Sequence, residues 1–185
     1  MNKKKRPSSS DPFKNVPEGI PFAYHYQGQL WKVRILLTKN GQGPAPGEEK
    51  YYTIPGGSEA LFQTDDVHPG FPVILVDEEM DALSIKQEAG DKIAAVAIGG
   101  LNTARFPRWI DLLESASLVL ISFPATAAGQ EATAWWLLQL PRGKTWPLFT
   151  GYPNVNALLL AKSKGSVRRW VLSGIEEGQI GEQAQ

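Results

Sequence analysis

Three short, almost wholly apolar runs constrain this chain most: Val73 to Val76 (VILV), Ile93 to Ile98 (IAAVAI) and Ser117 to Ser122 (SLVLIS). A strand with one wetted face alternates apolar and polar residues, so a strand without polar positions must be covered on both faces. The segments between the runs carry helical signals. In EEMDALSIKQEAG, acids stand at the start, Met80, Leu83 and Ile85 share a helix, and Gly90 is the stop. Phe106 to Ser115 gives a second helix, and AAGQEATAWWLLQL, ending at Pro141, gives a third. WPLF (146–149) supplies a fourth strand, and NVNALLLAKSKG and SVRRWVLSG two short closing helices. Strands and helices alternating at this spacing predict an α/β fold, a parallel sheet of about four strands with helices on both faces. Ligands of such sheets sit beyond the carboxyl ends of the strands. Those ends are Asp77, Gly99-Gly100, Phe123-Pro124 and Thr150-Gly151.

Upstream of Phe71 the pattern differs. PFAYHYQGQLWKVRILL holds two strand-like runs around Gln27-Gly28, a hairpin turn. Trp31, Val33 and Ile35 alternate with Lys32 and Arg34, which predicts a half-buried strand with the two cations facing solvent. A polar loop, the short strand KYYTI and a Gly-Gly turn follow. The expected organisation is a flexible basic tail over 1–19, a small antiparallel β subdomain over 20–70, the α/β domain over 71–175, and a flexible end over 176–185.

Charge and composition narrow the chemistry. The 185 residues hold 19 Lys and Arg against 19 Asp and Glu, but Lys3, Lys4, Lys5 and Arg6 stand in the first six positions. The remainder therefore has 15 cations against 19 acids, a net of −4, unlike a protein that coats nucleic acid by charge alone. With no cysteine, disulfides, Cys-ligated zinc, iron–sulfur clusters and thiol catalysis are excluded. Only His25 and His68 are present, too few for a His-rich metal site. No apolar run approaches the roughly 20 residues that cross a bilayer, and no apolar stretch follows the charged start. The expected address is the cytoplasm, with no membrane partner.

VILVDEEMDALS (73–84) resembles the first motif of the Toprim domain, found in bacterial-type primases, topoisomerases and related nucleases. Asp77 falls where the family has its catalytic Glu, Glu78 replaces a Gly, and Glu79, Asp81, Ala82 and Leu83 match. The second motif, Asp-x-Asp-x-Ala-Gly before a helix, is here Pro124-Ala125-Thr126-Ala127-Ala128-Gly129, which keeps the Ala-Gly and loses both acids. A third, carried by primase-like relatives from phages and mobile elements, is similar to GYPNVNALL, with Pro153 and Asn156 where acids would stand. The strand with Trp31 and Arg34, the Lys50-Tyr51 pair and the closing SVRRWVLSGI are similar to flanking segments of such primases, so the resemblance covers roughly residues 20–175.

The resemblance implies a Mg²⁺ site of converging carboxylates, because hard dications need several anionic oxygen ligands. Asp77, Glu79 and Asp81 are its candidate remnants; acids at a helix start also simply complement the helix dipole. Gly99-Gly100 suits a phosphate cradle or a tight βα turn. Arg34, Lys50, Arg168 and Arg169 are candidate nucleic-acid contacts, with Arg105 and Arg108 as further arginines, and Trp135-Trp136 either stack on bases or pack in the core. Three functions compete. The first is a catalytically degenerate primase-like Toprim protein, not an enzyme, whose partners are single-stranded DNA or RNA or a replication protein. The second is an active Mg²⁺-dependent nucleotidyl or phosphoryl transferase or nuclease with a rearranged acidic site. The third is a small-ligand-binding α/β domain.

Overall fold

The computed structural model describes residues 16–45, 47–148, 151–161 and 165–180. A three-stranded antiparallel sheet comes first, in the order β1-β2-β3: β1 (Gly19–Tyr26), β2 (Gln29–Leu37) and β3 (Tyr51–Thr53). Gln27 and Gly28 join β1 to β2 with φ of 52° and 72°. Two positive φ values give the turn whose twist matches paired strands, and glycine takes one of them without strain. Tyr24 pairs with Lys32 and His25 with Leu30, so Trp31 is the extra residue of a bulge.

On β2, Ile35 is buried and Trp31 half-buried as the alternation predicts, but the two cations depart from the sequence expectation. Lys32 is only 4% exposed and the Arg34 side chain 13%, and they lie opposite Tyr24 and Phe22, both buried. The cations face inward because distant acids meet them: Glu59 lies 3.3 Å from Lys32, and Glu79 lies 3.0 Å from Arg34.

The second sheet has the order β5-β4-β6-β7, all parallel: β4 (Val73–Val76), β5 (Ala94–Ala97), β6 (Val119–Ser122) and β7 (Gly143–Thr145). Every residue of β4, β5 and β6 is buried, as their apolar runs require. Five helices follow the strands: α1 (Glu79–Ala89), α2 (Pro107–Glu114), α3 (Ala127–Gln139), α4 (Val155–Ala161) and α5 (Ser166–Ile180). The chain steps from β4 to β5 in one direction and from β5 to β6 to β7 in the other. Right-handed crossovers therefore place α1 on one face and α2 and α3 on the opposite one. Helices α1, α4 and α5 pack on one another. The fold is the expected α/β arrangement, a four-stranded parallel sheet with helices and a small antiparallel β portion ahead of it.

Two local expectations, on the fourth strand and on the chain's last helix, are corrected, while Met80, Leu83 and Ile85 do share a helix, α1. The fourth strand is Gly143–Thr145 rather than 146–149. WPLF is apolar because Trp146 packs on Trp170 at 6.3 Å and the Pro147 carbonyl accepts from the Trp170 indole, while proline has no N–H for a ladder. Phe149 and Thr150 lie outside the described residues. Leu83 is 37% exposed, whereas Asp81 and Ser84 are buried, since α4 covers that side of α1. Finally, 176–180 belong to α5, whose Gly174 and Gly178 approach Leu120 and Leu118 closely. Residues 181–185 and the basic Lys3–Arg6 segment lie outside the described residues.

The two sheets are joined at the edge of β5. Phe62 donates its N–H to the Ala97 carbonyl at 2.8 Å, and its ring packs on Phe22 and Tyr24. The small sheet is thereby brought beside the carboxyl ends of β4 and β5.

Candidate functional site

Strand β4 ends at Val76, and Asp77 to Asp81 carry the chain into α1. Glu79 is fully buried and points to the small sheet: its Oε1 accepts from the Tyr24 hydroxyl and from Arg34 Nη1 at 3.0 Å. The Arg34 guanidinium also lies 3.7 Å from the Tyr51 ring centroid. Burial, then the Glu79 charge, pushes the Tyr24 hydroxyl far above its ordinary value. Burial and Glu78 do the same for Tyr51, so both phenols are neutral at physiological pH. Burial works against the Arg34 charge, but Glu79 and Tyr24 together outweigh it and the guanidinium is held more firmly protonated than usual. Outside this buried knot, Lys50 reaches both oxygens of Glu78, at 2.6 and 2.5 Å.

Gly99, at φ 69°, explains how the small sheet comes so close. A Cβ there would lie 2.4 Å from the Tyr24 hydroxyl and 3.3 Å from Arg34 Nη1. Of the two roles open to Gly99-Gly100, the tight turn with close approach is the one this packing requires.

Between the ends of β4 and β6 and the start of α4 lies a cleft of about 570 Å³, lined by Asp77, Asp81, Phe123, Pro124, Tyr152 and Pro153 among others. Asp77 Oδ1 is buried and has no hydrogen-bond partner among the described residues. Burial, followed by the nearby Glu78 charge, pushes the Asp77 carboxyl up to about 6. Asp81 is 6% exposed; burial raises its carboxyl to about 6 against the opposing effect of the Asn156 N–H. That N–H donates to Asp81 Oδ1 at 2.9 Å, and the Asn156 side chain donates to Ser84 Oγ at 3.0 Å. Asp81 thus caps the first turn of α4. At the second motif, Thr126 Oγ1 accepts from the Gly129 N–H at 3.1 Å and caps α3. A Cβ on Gly129 would fall 1.9 Å from the Pro124 carbonyl oxygen. The glycine this motif retains is the one its helix start needs, and Thr126, in place of an acid, serves as the cap.

The implied Mg²⁺ does not fit this donor set. Among the described residues no group of three or more His, Asp or Glu side chains is placed to hold a metal ion. Glu79 is turned away into the Tyr24–Arg34 knot, Asp81 is occupied by α4, and Asp77 alone faces the cleft without a partner. Pro124 has no side-chain oxygen to add.

The candidate nucleic-acid contacts do not form one surface. Arg34 and Lys50 are engaged by Glu79 and Glu78 near the carboxyl ends of the strands. Arg168 lies against the far end of α1, bidentate to Asp91 at 2.5 and 2.8 Å and donating to the Glu88 carbonyl at 3.0 Å. Its hydrogen bonds hold the Asp91 carboxyl down to about 2. Arg169 is exposed, with Ser166 Oγ 3.3 Å away. Trp136 is fully buried, and Trp135 is half-buried beneath Arg105. His25 and His68 are exposed. Tyr24, Tyr51 and Ser84 escaped the sequence reading of the site, whereas Gly99 was singled out there with its tight-turn role among the alternatives. For Tyr24 a signal existed, since Phe22 and Tyr24 alternate with Ala23 and His25 on one strand.

No family model matches the sequence, and neither does any curated protein. Solved structures do resemble the fold. The primase fragment of the bacteriophage T7 primase-helicase protein is 18% identical with a TM-score of 0.63, the match covering 83% of this chain and 60% of that one. The RNA polymerase domain of Mycobacterium tuberculosis primase DnaG is 16% identical with a TM-score of 0.62, covering 81% and 53%. A DnaG primase catalytic domain bound to ssDNA is 20% identical with a TM-score of 0.62, covering 84% and 51%. The class these similarities define is a primase-like α/β fold. The chain spans between about half and three fifths of the length of these three structures.

Proposed function

We propose that this chain is a Toprim-related, primase-like protein that has lost metal-dependent catalysis. It works in DNA replication or processing as an accessory module for single-stranded DNA or RNA, or for a replication protein. The observation that carries the reading is the burial of Glu79 against Arg34 and Tyr24. A guanidinium fixed beside the carboxylate supplies positive charge from within the chain; with Glu78 paired to Lys50 and Asp81 held by α4, Asp77 alone is too little to gather a hard dication. The primase-like fold, and the ssDNA bound to one structurally similar primase, support nucleic acid as the partner class. The division into a β subdomain over 20–70 and a Toprim-like domain over 71–175 belongs to the same proposal. The subdomain's role is to deliver Tyr24, Arg34 and Lys50 to the first acidic motif. Calorimetric titration of the full chain with Mg²⁺ and Mn²⁺ tests the loss of the metal centre. The expected result is no site-specific binding at millimolar metal; a stoichiometric site abolished by Asp77→Ala overturns the reading.

A further inference from the structure

The arginines expected to touch nucleic acid are largely occupied, but two others are not. Among the described residues neither Arg105 nor Arg108 is in an ion pair, whereas Arg34, Lys50 and Arg168 all are. Arg105 and Arg108 both lie on aromatic rings, and Arg105 Nη2 also donates to the Leu101 carbonyl and to Asn102 Oδ1, each at 3.1 Å. The Arg108 guanidinium is 5.0 Å from the Trp31 ring centroid and 5.9 Å from that of Phe106, and Arg105 is 5.0 Å from that of Trp135. Phe106 is 42% exposed.

The Trp31 ring beneath Arg108 is firmly set. Trp31, placed by the bulge in β2, meets Trp109 edge-on at 5.6 Å and Tyr26 at 5.9 Å. Trp109 is fully buried, and its indole N–H donates to the Glu59 carbonyl at 3.3 Å. Rings locked by such packing lose little freedom when a ligand settles on them.

We propose that the surface where the start of α2 meets the β1–β2 hairpin is a binding site for single-stranded nucleic acid. Phe106, with Trp31 beside it, takes base faces, and Arg105 and Arg108 take phosphates. Cations without an internal counter-ion, set beside an exposed ring, suit a polyanion even on a body whose overall charge is slightly negative. A single strand also offers the base faces that a duplex hides within its stack. The inference rests on the nucleic-acid part of the proposed function and is independent of the fate of the metal centre.

The test is fluorescence anisotropy of the full chain with a labelled oligothymidylate of about 20 nucleotides, repeated at several salt concentrations. Each phosphate contact contributes about 0.7 to the salt slope on single strands, so Arg108→Ala should lower the slope by about 0.7 and the double R105A/R108A variant by about 1.4. Phe106→Ala should weaken binding roughly five- to 140-fold with the slope unchanged, the amount a stacked base is worth. Phe106→Leu, which keeps apolar bulk without the ring, should lose as much. Arg168→Ala should leave binding as it was. No binding of the oligonucleotide at all defeats the nucleic-acid reading together with this site. Binding that survives all the α2 variants defeats the site alone. Displacement by polyglutamate of equal charge as readily as by unlabelled oligonucleotide assigns the surface to an acidic protein segment and overturns the proposal.

Discussion

Replacing Arg34 by methionine keeps most of the aliphatic stem and removes the charge. Glu79 then remains in a fully buried position with the Tyr24 hydroxyl as its one donor, and its Oε2 already has no partner among the described residues. Stranding a buried charge in this way costs about 3–5 kcal/mol, a large share of the roughly 5–15 kcal/mol that holds a typical domain folded. Loss of the guanidinium–Tyr51 contact adds to it by about 0.5–2 kcal/mol. In a chain of this length about 1 kcal/mol moves the melting temperature by roughly 2–4 °C, so the Arg34→Met variant should melt at least about 6 °C lower. The double variant R34M/E79Q removes both charges and leaves Tyr24 a neutral acceptor. It should therefore be more stable than the sum of the single losses predicts, by about 1–3 kcal/mol. Urea unfolding of the four proteins at pH 7 closes the cycle. A loss below about 1 kcal/mol for R34M, or strict additivity in the cycle, would refute the claim that Glu79 and Arg34 are an obligate buried pair.

Two further outcomes follow from the acidic cleft and the second motif. Asp77 and Asp81 titrate at about 6 in the folded chain against an ordinary 3.8, so between about pH 4 and pH 6 the folded state binds more protons than the unfolded one. Stability therefore falls as pH rises through that window, and Asp77→Asn should stabilise by up to about 3 kcal/mol at pH 8 and be neutral below about pH 4. Denaturant melts across pH measure it, and a variant weaker than the parent at pH 8 contradicts the assignment. Gly129→Ala drives a Cβ to 1.9 Å from the backbone oxygen of Pro124, which cannot yield as a flexible side chain would. Its cost should exceed about 3 kcal/mol, and calorimetric melting close to that of the parent would show that the α3 start is more adaptable than its geometry implies.

The strands that form the parallel sheet were legible because burial on both faces leaves an unmistakable sequence record in Val73 to Val76, Ala94 to Ala97 and Val119 to Ser122. The Gln27-Gly28 turn was legible for a similar reason, since few residues accept its backbone angles. Strand β7 was not, because Gly143-Lys144-Thr145 pairs on one side only and its side chains remain partly exposed. The inward direction of Lys32 and Arg34 was hidden more deeply. Periodicity reports hydrophobic faces, whereas these cations are made compatible with burial by Glu59 and Glu79, 27 and 45 residues away. The same limit applied at the site. Asp77 was found from its motif, but that Glu79 turns to Tyr24 while Asp81 turns to Asn156 depends on where the small sheet and α4 dock.

The most direct test of lost catalysis is template-directed nucleotide incorporation by the purified full chain. Single-stranded DNA templates, ribonucleotides and deoxyribonucleotides, and either Mg²⁺ or Mn²⁺ should be supplied together, with Asp77→Ala measured in parallel. No product above the level seen without protein is expected, and no difference between the two chains. Metal-dependent product that disappears in Asp77→Ala would contradict it and make the rearranged acidic cleft an active centre.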